Sequence, residues 1–266
     1  MSLRFTQVDA FTSEPFRGNP AAVVLLAEFP ADGWLQAVAS EMNLSATAFL
    51  VPLADGYALR WFTTVRELTL CGHGTLASAH TLWEEGLAPA GDPITFHFSG
   101  GTLAAARRGD WIELDFPATP PAEAPAPAGL AEALGATPRW VGRSRLDVLA
   151  VLEDESEVRR AKPDLGALAR VDARGVIITA AADGGSDFDF VSRFFAPGVG
   201  IAEDPVTGSA HCSLAPYWSE RLGKSELVAY QASARGGIVR VAMAGDRVLL
   251  QGKATLVARG ELLVPI

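Results

Sequence analysis

Two short segments combine glycine with side chains that could do chemistry. They are Cys71-Gly72-His73-Gly74 and Asp204-Pro205-Val206-Thr207-Gly208-Ser209. Each precedes a stretch rich in small residues, so each is predicted to open a helix, whose unpaired N–H groups and positive dipole end attract an anion. Taken singly, each segment is better explained structurally, with Thr207 or Ser209 capping a helix and His73 a partly buried histidine.

The two segments nevertheless occur at matching places in the two halves of the chain. Arg60-Trp61-Phe62 precedes the first segment and Arg193-Phe194-Phe195 precedes the second. This pattern of arginine, aromatic residue, loop, glycine and helix predicts an internal duplication. It indicates an α+β protein of two pseudo-symmetric lobes, each a curved, mostly antiparallel sheet or barrel wrapped around a central helix. As a pair, the two helix starts favour a ligand site in a cleft between the lobes.

Short runs of β-branched and aromatic residues bounded by Gly, Pro or Asp predict mainly strands. The proline-rich stretch from 116 to 129 interrupts them. The predicted organisation is an N-terminal lobe (1–116), a linker (117–129), a C-terminal lobe (130–245) and a segment of undecided lobe (246–266). The predicted strands cover 3–10, 21–26, 47–52, 57–62, 94–98, 101–106, 111–116, 148–152, 175–179, 188–195, 237–242 and 247–250, and the predicted helices cover 32–42, 74–85 and 206–221.

Composition excludes several classes of function. The chain has 266 residues, of which 49% are hydrophobic, and a formal net charge of −9. This charge disfavours nucleic acid and anionic membranes as partners. The N-terminus lacks the pattern of a signal peptide, and no apolar stretch is long enough to span a bilayer, so a cytoplasmic location is expected. Cys71 and Cys212 are not in a CxxC spacing, and no histidine cluster predicts a metal site.

Four segments, 1–26, 41–50, 59–80 and 198–237, resemble the PhzF family of phenazine biosynthesis-like isomerases. The string EDPVTGSAH at 203–211, with RGG downstream, is the most specific part. The resemblance implies the diaminopimelate epimerase fold, an active site between two lobes, a homodimer, and no cofactor or metal. It also implies an activity in which a glutamate moves a proton between carbons of a small cyclic dihydro-hydroxy amino acid.

Three residues of the family's site have a counterpart at the matching position of this chain. The resemblance assigns the family's histidine to His73, its aspartate to Asp204 and its serine to Ser209. The proton-shuttling glutamate lies in a string S-E-T, where this chain reads Ser45-Ala46-Thr47. Because a methyl group cannot transfer a proton, the alanine predicts an impaired reaction.

Three explanations of Ala46 remain open: an engineered substitution, a natural member that has lost the activity, or a natural member that uses another base. His73 and Asp204 are the better candidates for such a base, and Glu41 is more simply a solvated helix residue. A racemase with two facing thiols is disfavoured, because Cys71 has no partner cysteine where Pro205 stands and Cys212 is expected to be a small buried residue.

The sequence is consistent with two functions. One is an impaired, cofactor-independent isomerase acting on a small, carboxylate-bearing cyclic metabolite, and the other is a catalytically silent metabolite-binding or regulatory protein. Beside the catalytic positions Ala46, His73, Asp204 and Ser209, the residues expected to bind substrate are Asn19, Ser45, Gly72, Gly74, Thr207, Gly208 and Ser233. Asn19 and Ser233 have simple alternatives as turn residues.

Overall fold

The computed structural model describes residues 3–89 and 91–264, and the chain divides into two compact units. Unit 1 contains residues 1–115 and 251–266, and unit 2 contains residues 116–250. The C-terminal segment, whose lobe the sequence left undecided, therefore joins unit 1 from residue 251 onward. Among the described residues, no helix is long and apolar enough to cross a membrane.

The described part of unit 1 contains two helices and nine strands. Its helices are α1 (Asp32–Met42) and α2 (Gly72–Glu84). Its strands are β1 (Leu3–Ala10), β2 (Asn19–Leu25), β3 (Ala46–Leu53), β4 (Gly56–Phe62), β5 (Glu67–Leu68), β6 (Ile94–Phe98), β7 (Gly101–Arg108), β8 (Trp111–Pro117) and β18 (Ala254–Leu262).

The strands of unit 1 pair in the order β18–β1–β2–β3–β4–β6–β7–β8, with β5 also on β4. Most pairs are antiparallel, while β2–β3 and β4–β6 are parallel. A parallel pair needs a crossover connection, and α1 and α2 supply the two crossovers.

The two helices of unit 1 occupy different environments. Helix α2 is central, since ten of its thirteen residues are buried, most of them small. Small side chains let strands approach the helix from several directions. Helix α1 buries only Leu35, Val38 and Ala39, which pack in one cluster with Phe49 and Phe62. Because side chains alternate along β3, Ala46 and Ala48 lie on the face opposite Phe49 and α1.

Unit 2 contains the remaining elements. Its helices are α3 (Leu130–Leu134), α4 (Glu155–Arg160), α5 (Leu165–Leu168) and α6 (Gly208–Leu222), with a short 3₁₀ helix at Pro197–Val199. Its strands are β9 (Ala122–Glu123), β10 (Trp140–Arg143), β11 (Asp147–Val151), β12 (Gly175–Ala181), β13 (Phe190–Ala196), β14 (Ile201–Asp204), β15 (Glu226–Gln231), β16 (Gly237–Ala244) and β17 (Arg247–Gly252).

The strand order in unit 2 repeats that of unit 1. Its strands pair as β9–β10–β11–β12–β13–β15–β16, with β14 on β13, and its parallel pairs are β11–β12 and β13–β15. The central helix, α6, lies between β14 and β15 as α2 lies between β5 and β6. One hydrophobic cluster of unit 2 contains residues of α3, α4 and α5. These helices cover the sheet face that corresponds to the face covered by α1 in unit 1.

The repeat extends to register and to one ion pair. Arg60 faces Phe49 across β3–β4, and Arg193 faces Ile178 across β12–β13. Each arginine makes two hydrogen bonds to the glutamate of the following strand, Glu67 or Glu203, at 2.7 to 3.0 Å. The internal duplication predicted from the sequence is therefore present in the topology, and by the same register Gly175 occupies in unit 2 the place of Ala46 in unit 1.

Some predicted boundaries need correction. The helix predicted from 206 begins at Gly208, because Thr207 has extended backbone angles (φ −113°, ψ 99°), and the helix predicted from 74 begins at Gly72. Within the predicted linker, Ala122–Glu123 forms a strand on β10, and the structure gives residues 117–129 to unit 2. The sequence also missed β5, β10, β14, β15 and β18 and the short helices α3, α4 and α5.

Candidate functional site

The first candidate region is the start of α2 in unit 1. Cys71 precedes the helix in extended conformation, and its side chain does not cap the first-turn N–H groups. The Oγ1 of Thr75 donates to the Cys71 carbonyl at 2.7 Å, and the Sγ of Cys71 lies 3.5 Å from Nδ1 of His73. Gly72, His73 and Gly74 thus form the first turn of a buried helix, with the dipole end that favours an anion.

His73 is a neutral imidazole at physiological pH. It is 7% exposed, and burial lowers its pKa to about 4. Desolvation penalises the charged form of an imidazole, so the ring remains uncharged at about pH 7. A neutral imidazole can act both as a hydrogen-bond donor and as a proton acceptor.

Position 46 lies at the start of β3 and is completely buried. Ala46 pairs with Ala21 of β2, and the half-buried Ser45 connects it to the end of α1. Its methyl group carries no acid–base function. Glu41, considered as a replacement base, is exposed near the end of α1, which agrees with the simpler interpretation of a solvated helix residue.

Asn19 is the first residue of β2 and faces Ala10 of β1. It is fully buried and follows a turn at Gly18, whose φ of +62° suits glycine. A Cβ at Gly18 would lie 2.1 Å from the Ala10 carbonyl oxygen, so the turn also requires glycine for space. Asp9, which sequence reasoning passed over, is buried beside this turn and accepts from Phe16 N–H at 2.7 Å.

The second candidate region is the start of α6 in unit 2, where three buried polar side chains form a network. The Thr207 hydroxyl donates to Asp204 Oδ2 at 2.5 Å. The Gln231 side chain accepts from Thr207 N–H at 2.8 Å and donates to the Asp204 carbonyl at 2.7 Å. The alternative that Thr207 caps α6 is therefore wrong, because its hydroxyl bonds to Asp204 and not to a helix N–H.

The first turn of α6 resembles that of α2 in detail. Four residues after the extended residue, His211 Nδ1 contacts the Thr207 carbonyl at 2.8 Å, as Thr75 contacts that of Cys71. His211 is fully buried, and burial lowers its pKa to about 4. Ser209 is half-buried in this turn, next to the buried Gly208.

Two further sequence predictions concern Cys212 and Ser233. Cys212 is buried, and desolvation raises the pKa of its thiol to about 12, as expected for a small core residue. Ser233 donates to the Pro205 carbonyl at 2.7 Å and accepts from Gly236 N–H at 3.1 Å. These bonds fix the loop before α6, so Ser233 has at least the turn role that the sequence offered as its alternative.

Sequence reasoning missed Gln231 and Trp61 as parts of these regions. Gln231 lies in the segment 198–237 that resembles the family, but its role depends on a bond to Thr207, which is 24 residues away in the chain. Trp61 belongs to the predicted strand 57–62 and is 1% exposed. Its indole N–H has no hydrogen-bond partner among the described residues, and the ring edge lies against Gly74, where a Cβ would be 2.7 Å from Cδ1.

The chemistry available in these regions is that of proton transfer and anion binding. Within residues 3–89 and 91–264, no three His, Cys, Asp or Glu side chains gather as a set of metal ligands. The groups at hand are a neutral imidazole, a hydrogen-bonded carboxylate, a hydroxyl and two helix starts.

The chain has an epimerase-like α+β fold. A hydroxyproline epimerase from Agrobacterium vitis, solved with bound trans-4-hydroxy-L-proline, shares the fold with a TM-score of 0.65 at 11% identity, covering 98% of this chain and 92% of that one. The sequence profile described as "Phenazine biosynthesis-like protein" matches residues 8–260. The chain belongs to this family, PhzF.

Similar proteins occur in distant organisms. An uncharacterised isomerase of Halalkalibacterium halodurans is 52% identical, covering 97% of both chains. The human phenazine biosynthesis-like domain-containing protein is 39% identical over 98% of this chain and 99% of that one. The crystal structure of a PhzF-family protein from Enterococcus faecalis has a TM-score of 0.94 at 43% identity and covers 99% of this chain and all of that one.

Proposed function

We propose that this protein is a PhzF-type isomerase that binds a small, carboxylate-bearing cyclic metabolite and relocates a proton between its carbons without a cofactor. One observation carries the proposal: both central helices begin in the same way, with an extended residue that does not cap the helix, a glycine and a polar side chain. Membership of a family with relatives named as isomerases gives this arrangement its chemical direction.

In the proposed reaction, a base removes a proton from one carbon and the electron pair delocalises over the ring. A proton then returns to a different carbon. N–H groups at helix starts such as those of α2 and α6 favour a carboxylate and a developing negative charge. His73, which is neutral at about pH 7, is able to accept the proton, while Asp204, oriented by Thr207, and Ser209 hold the substrate.

Ala46 limits this activity. In the family pattern a glutamate at this position shuttles the proton, and the methyl group cannot. Loss of a general acid–base group costs about 10²- to 10⁴-fold in rate. We therefore expect the chain to bind its substrate and to turn it over slowly.

The decisive experiment restores a carboxylate at position 46. Wild type and Ala46→Glu are incubated in heavy water with a panel of cyclic dihydro-hydroxy amino acids and with trans-4-hydroxy-L-proline, and deuterium incorporation is followed by mass spectrometry. Ala46→Gln is the matched control, because it adds the same bulk without an acid. Gain of exchange in Ala46→Glu alone supports the proposal, whereas no exchange in any variant contradicts it.

The roles of the two helix starts are tested with the same assay. His73→Asn and Ser209→Ala in the Ala46→Glu background are each expected to lower exchange by at least about tenfold, corresponding to the loss of one transition-state contact. Ser99→Ala, on an exposed loop residue of unit 1, serves as the control. Unchanged exchange in either variant removes that residue from the mechanism.

A second function is favoured by the same alanine. A protein that keeps the polar groups at both helix starts but lacks the family's acid–base residue suits metabolite binding or regulation without turnover. Binding of a panel compound by calorimetry, together with no deuterium incorporation in Ala46→Glu, would favour this second function. For either function we propose a homodimer, to be checked by light scattering.

A further inference from the structure

Unit 2 contains a cavity lined by three arginines that the proposed function does not use. Its volume is about 500 Å³, and it lies among the β10–β11 turn, the segment before β12 and the 3₁₀ helix at Pro197–Val199. Arg143, Arg145 and Arg174 contribute to its walls. None of the residues proposed to bind the isomerase substrate lines this cavity.

Arg174 is held rigidly in the wall. Its Nε and Nη2 donate to the two carboxylate oxygens of Asp147, at 2.9 and 2.5 Å, and its guanidinium lies 5.3 Å from the ring centroid of Phe194. The Asp147 side chain is only 2% exposed. The remaining nitrogen, Nη1, makes no hydrogen bond to any described residue, so a preorganised cation retains donors for a ligand.

The other two arginines are less constrained. Arg143 donates from Nη1 to the carbonyl of Asp172, another residue of the cavity wall, at 2.8 Å. Arg145 is exposed, and no hydrogen bond or ion pair connects it to another described residue. It can therefore turn toward a ligand without breaking an existing interaction.

The charges of the cavity favour an anion. Three arginines and two aspartates, Asp147 and Asp172, line the cavity, and Asp147 is already paired with Arg174. This excess of positive charge occurs in a chain whose formal net charge is −9. Guanidinium groups bind phosphate oxygens with paired, parallel hydrogen bonds, and a doubly charged anion gains more from several cations than a carboxylate does.

We propose that this cavity binds the phosphate group of a small phosphorylated metabolite. Arg174 provides a fixed donor, Arg143 a tethered one and Arg145 the group that closes on the ligand. A volume of about 500 Å³ exceeds that of a phosphate ion, so it leaves space for the organic part of a phosphate monoester. The site is independent of the proposed isomerase function.

The probe for the experiment is inorganic phosphate, titrated into the full-length protein and followed by calorimetry and by amide chemical shifts. Acetate at the same ionic strength distinguishes phosphate recognition from general attraction to anions. Arg145→Gln is the test variant, and it should leave folding intact because the side chain holds no partner. Arg139→Gln is the matched control, since Arg139 is an exposed arginine of the same unit that pairs with Glu153 and does not line the cavity.

We expect wild type and Arg139→Gln to bind phosphate equally, and Arg145→Gln to bind at least about tenfold more weakly. The amide shifts should concentrate at Arg145, Gly198 and Val199. The proposal is overturned if wild type shows no phosphate binding at 10 mM, if acetate binds as well as phosphate, or if both variants lose affinity to the same extent. Deuterium exchange by the isomerase site should be unchanged in Arg145→Gln.

Discussion

At the scale of single residues, the two central helices each carry a buried imidazole in the first turn. Burial lowers the pKa of both His73 and His211 to about 4. His73 belongs to the proposed proton-transfer site, whereas His211 contacts the Thr207 carbonyl. Burial sets the protonation state of both rings, and this has a consequence for stability as well as for chemistry.

The free energy of unfolding should depend on pH because of these buried histidines. In the unfolded chain these histidines take up protons as the pH falls through about 6.5, while in the folded protein they do so only near pH 4. The unfolded state therefore binds more protons in this window, and stability falls as the pH is lowered from about 6.5 to 4, by about 3 kcal/mol for each histidine. Urea unfolding at several pH values measures the decrease.

Two variants sharpen this test. His211→Gln is expected to reduce the pH dependence by about 3 kcal/mol, because its titration is removed while those of His73 and His80, whose pKa burial also lowers, remain. Ser99→Ala, at an exposed loop residue of unit 1, is the control and should leave the pH dependence unchanged. A slope of stability against pH that is the same in wild type and His211→Gln would contradict the assignment.

The second prediction concerns Gln231. Replacement by leucine leaves the buried Thr207 N–H and Asp204 carbonyl without their side-chain partners. Each unsatisfied buried group costs about 1–3 kcal/mol, so Gln231→Leu should lower the free energy of unfolding by about 2–4 kcal/mol. Gln251→Leu, which removes a half-buried bond to Glu113, is the control and should cost less than about 1 kcal/mol. Equal losses of unfolding free energy in the two variants would contradict the stabilising role of the Gln231 hydrogen bonds.

At the scale of elements, the start of α2 depends on a close approach between helix and strand. Gly74 has no side chain, and this admits the indole edge of Trp61 from β4 and the Sγ of Cys71. The contact explains the glycine at position 74 in the first turn of α2, despite the low helix propensity of glycine.

The third prediction follows from this contact. In Gly74→Ala the new Cβ would lie 2.7 Å from Trp61 Cδ1 and 3.0 Å from Cys71 Sγ, so the ring or the helix must move. Overpacking of this kind costs about 1–3 kcal/mol. Gly33→Ala in α1 is the control, since no atom lies within 4 Å of its added Cβ and the change should stabilise by up to about 1 kcal/mol. Chemical denaturation measures both, and a stabilised Gly74→Ala would refute the close approach.

At the scale of the whole molecule, the chain repeats one topology and then returns to its beginning. Strand β18 pairs with all eight residues of β1, so the last strand of the sequence completes unit 1 and not unit 2. Sequential pairing of neighbours in the chain is the commoner arrangement. Strand β18 therefore contributes to the stability of unit 1, which contains His73 and Ala46.

The fourth prediction tests this dependence. A chain ending at residue 250 loses β18 and exposes the edge of β1, whose ladder hydrogen bonds and packing are then lost. Hydrogen exchange should show loss of protection in β1 and β2, while β12 and β13 of unit 2 remain protected. A chain ending at residue 263 retains β18 and serves as the control. Unchanged protection of β1 in the shorter chain would be inconsistent with the role assigned to β18.

Much of the local structure followed from the sequence alone. The repeat of Arg60-Trp61-Phe62 and Arg193-Phe194-Phe195 predicted two equivalent α+β units, and alanine-rich segments predicted both central helices. These features succeed because strand alternation, helix periodicity and glycine at helix starts are local properties. The motifs around His73 and Ser209 are likewise continuous in sequence, so they could be recognised without coordinates.

Tertiary structure decided what depends on distant contacts. The bonds from Gln231 to Thr207, the pair of Arg174 with Asp147 and the return of β18 to β1 join residues far apart in the chain. The pKa values of His73 and His211 also belong to this level, because desolvation depends on what surrounds a side chain in space. The resemblance of continuous sequence motifs thus indicated the family and the candidate groups, whereas burial and long-range hydrogen bonds determined the protonation and the partners of these groups.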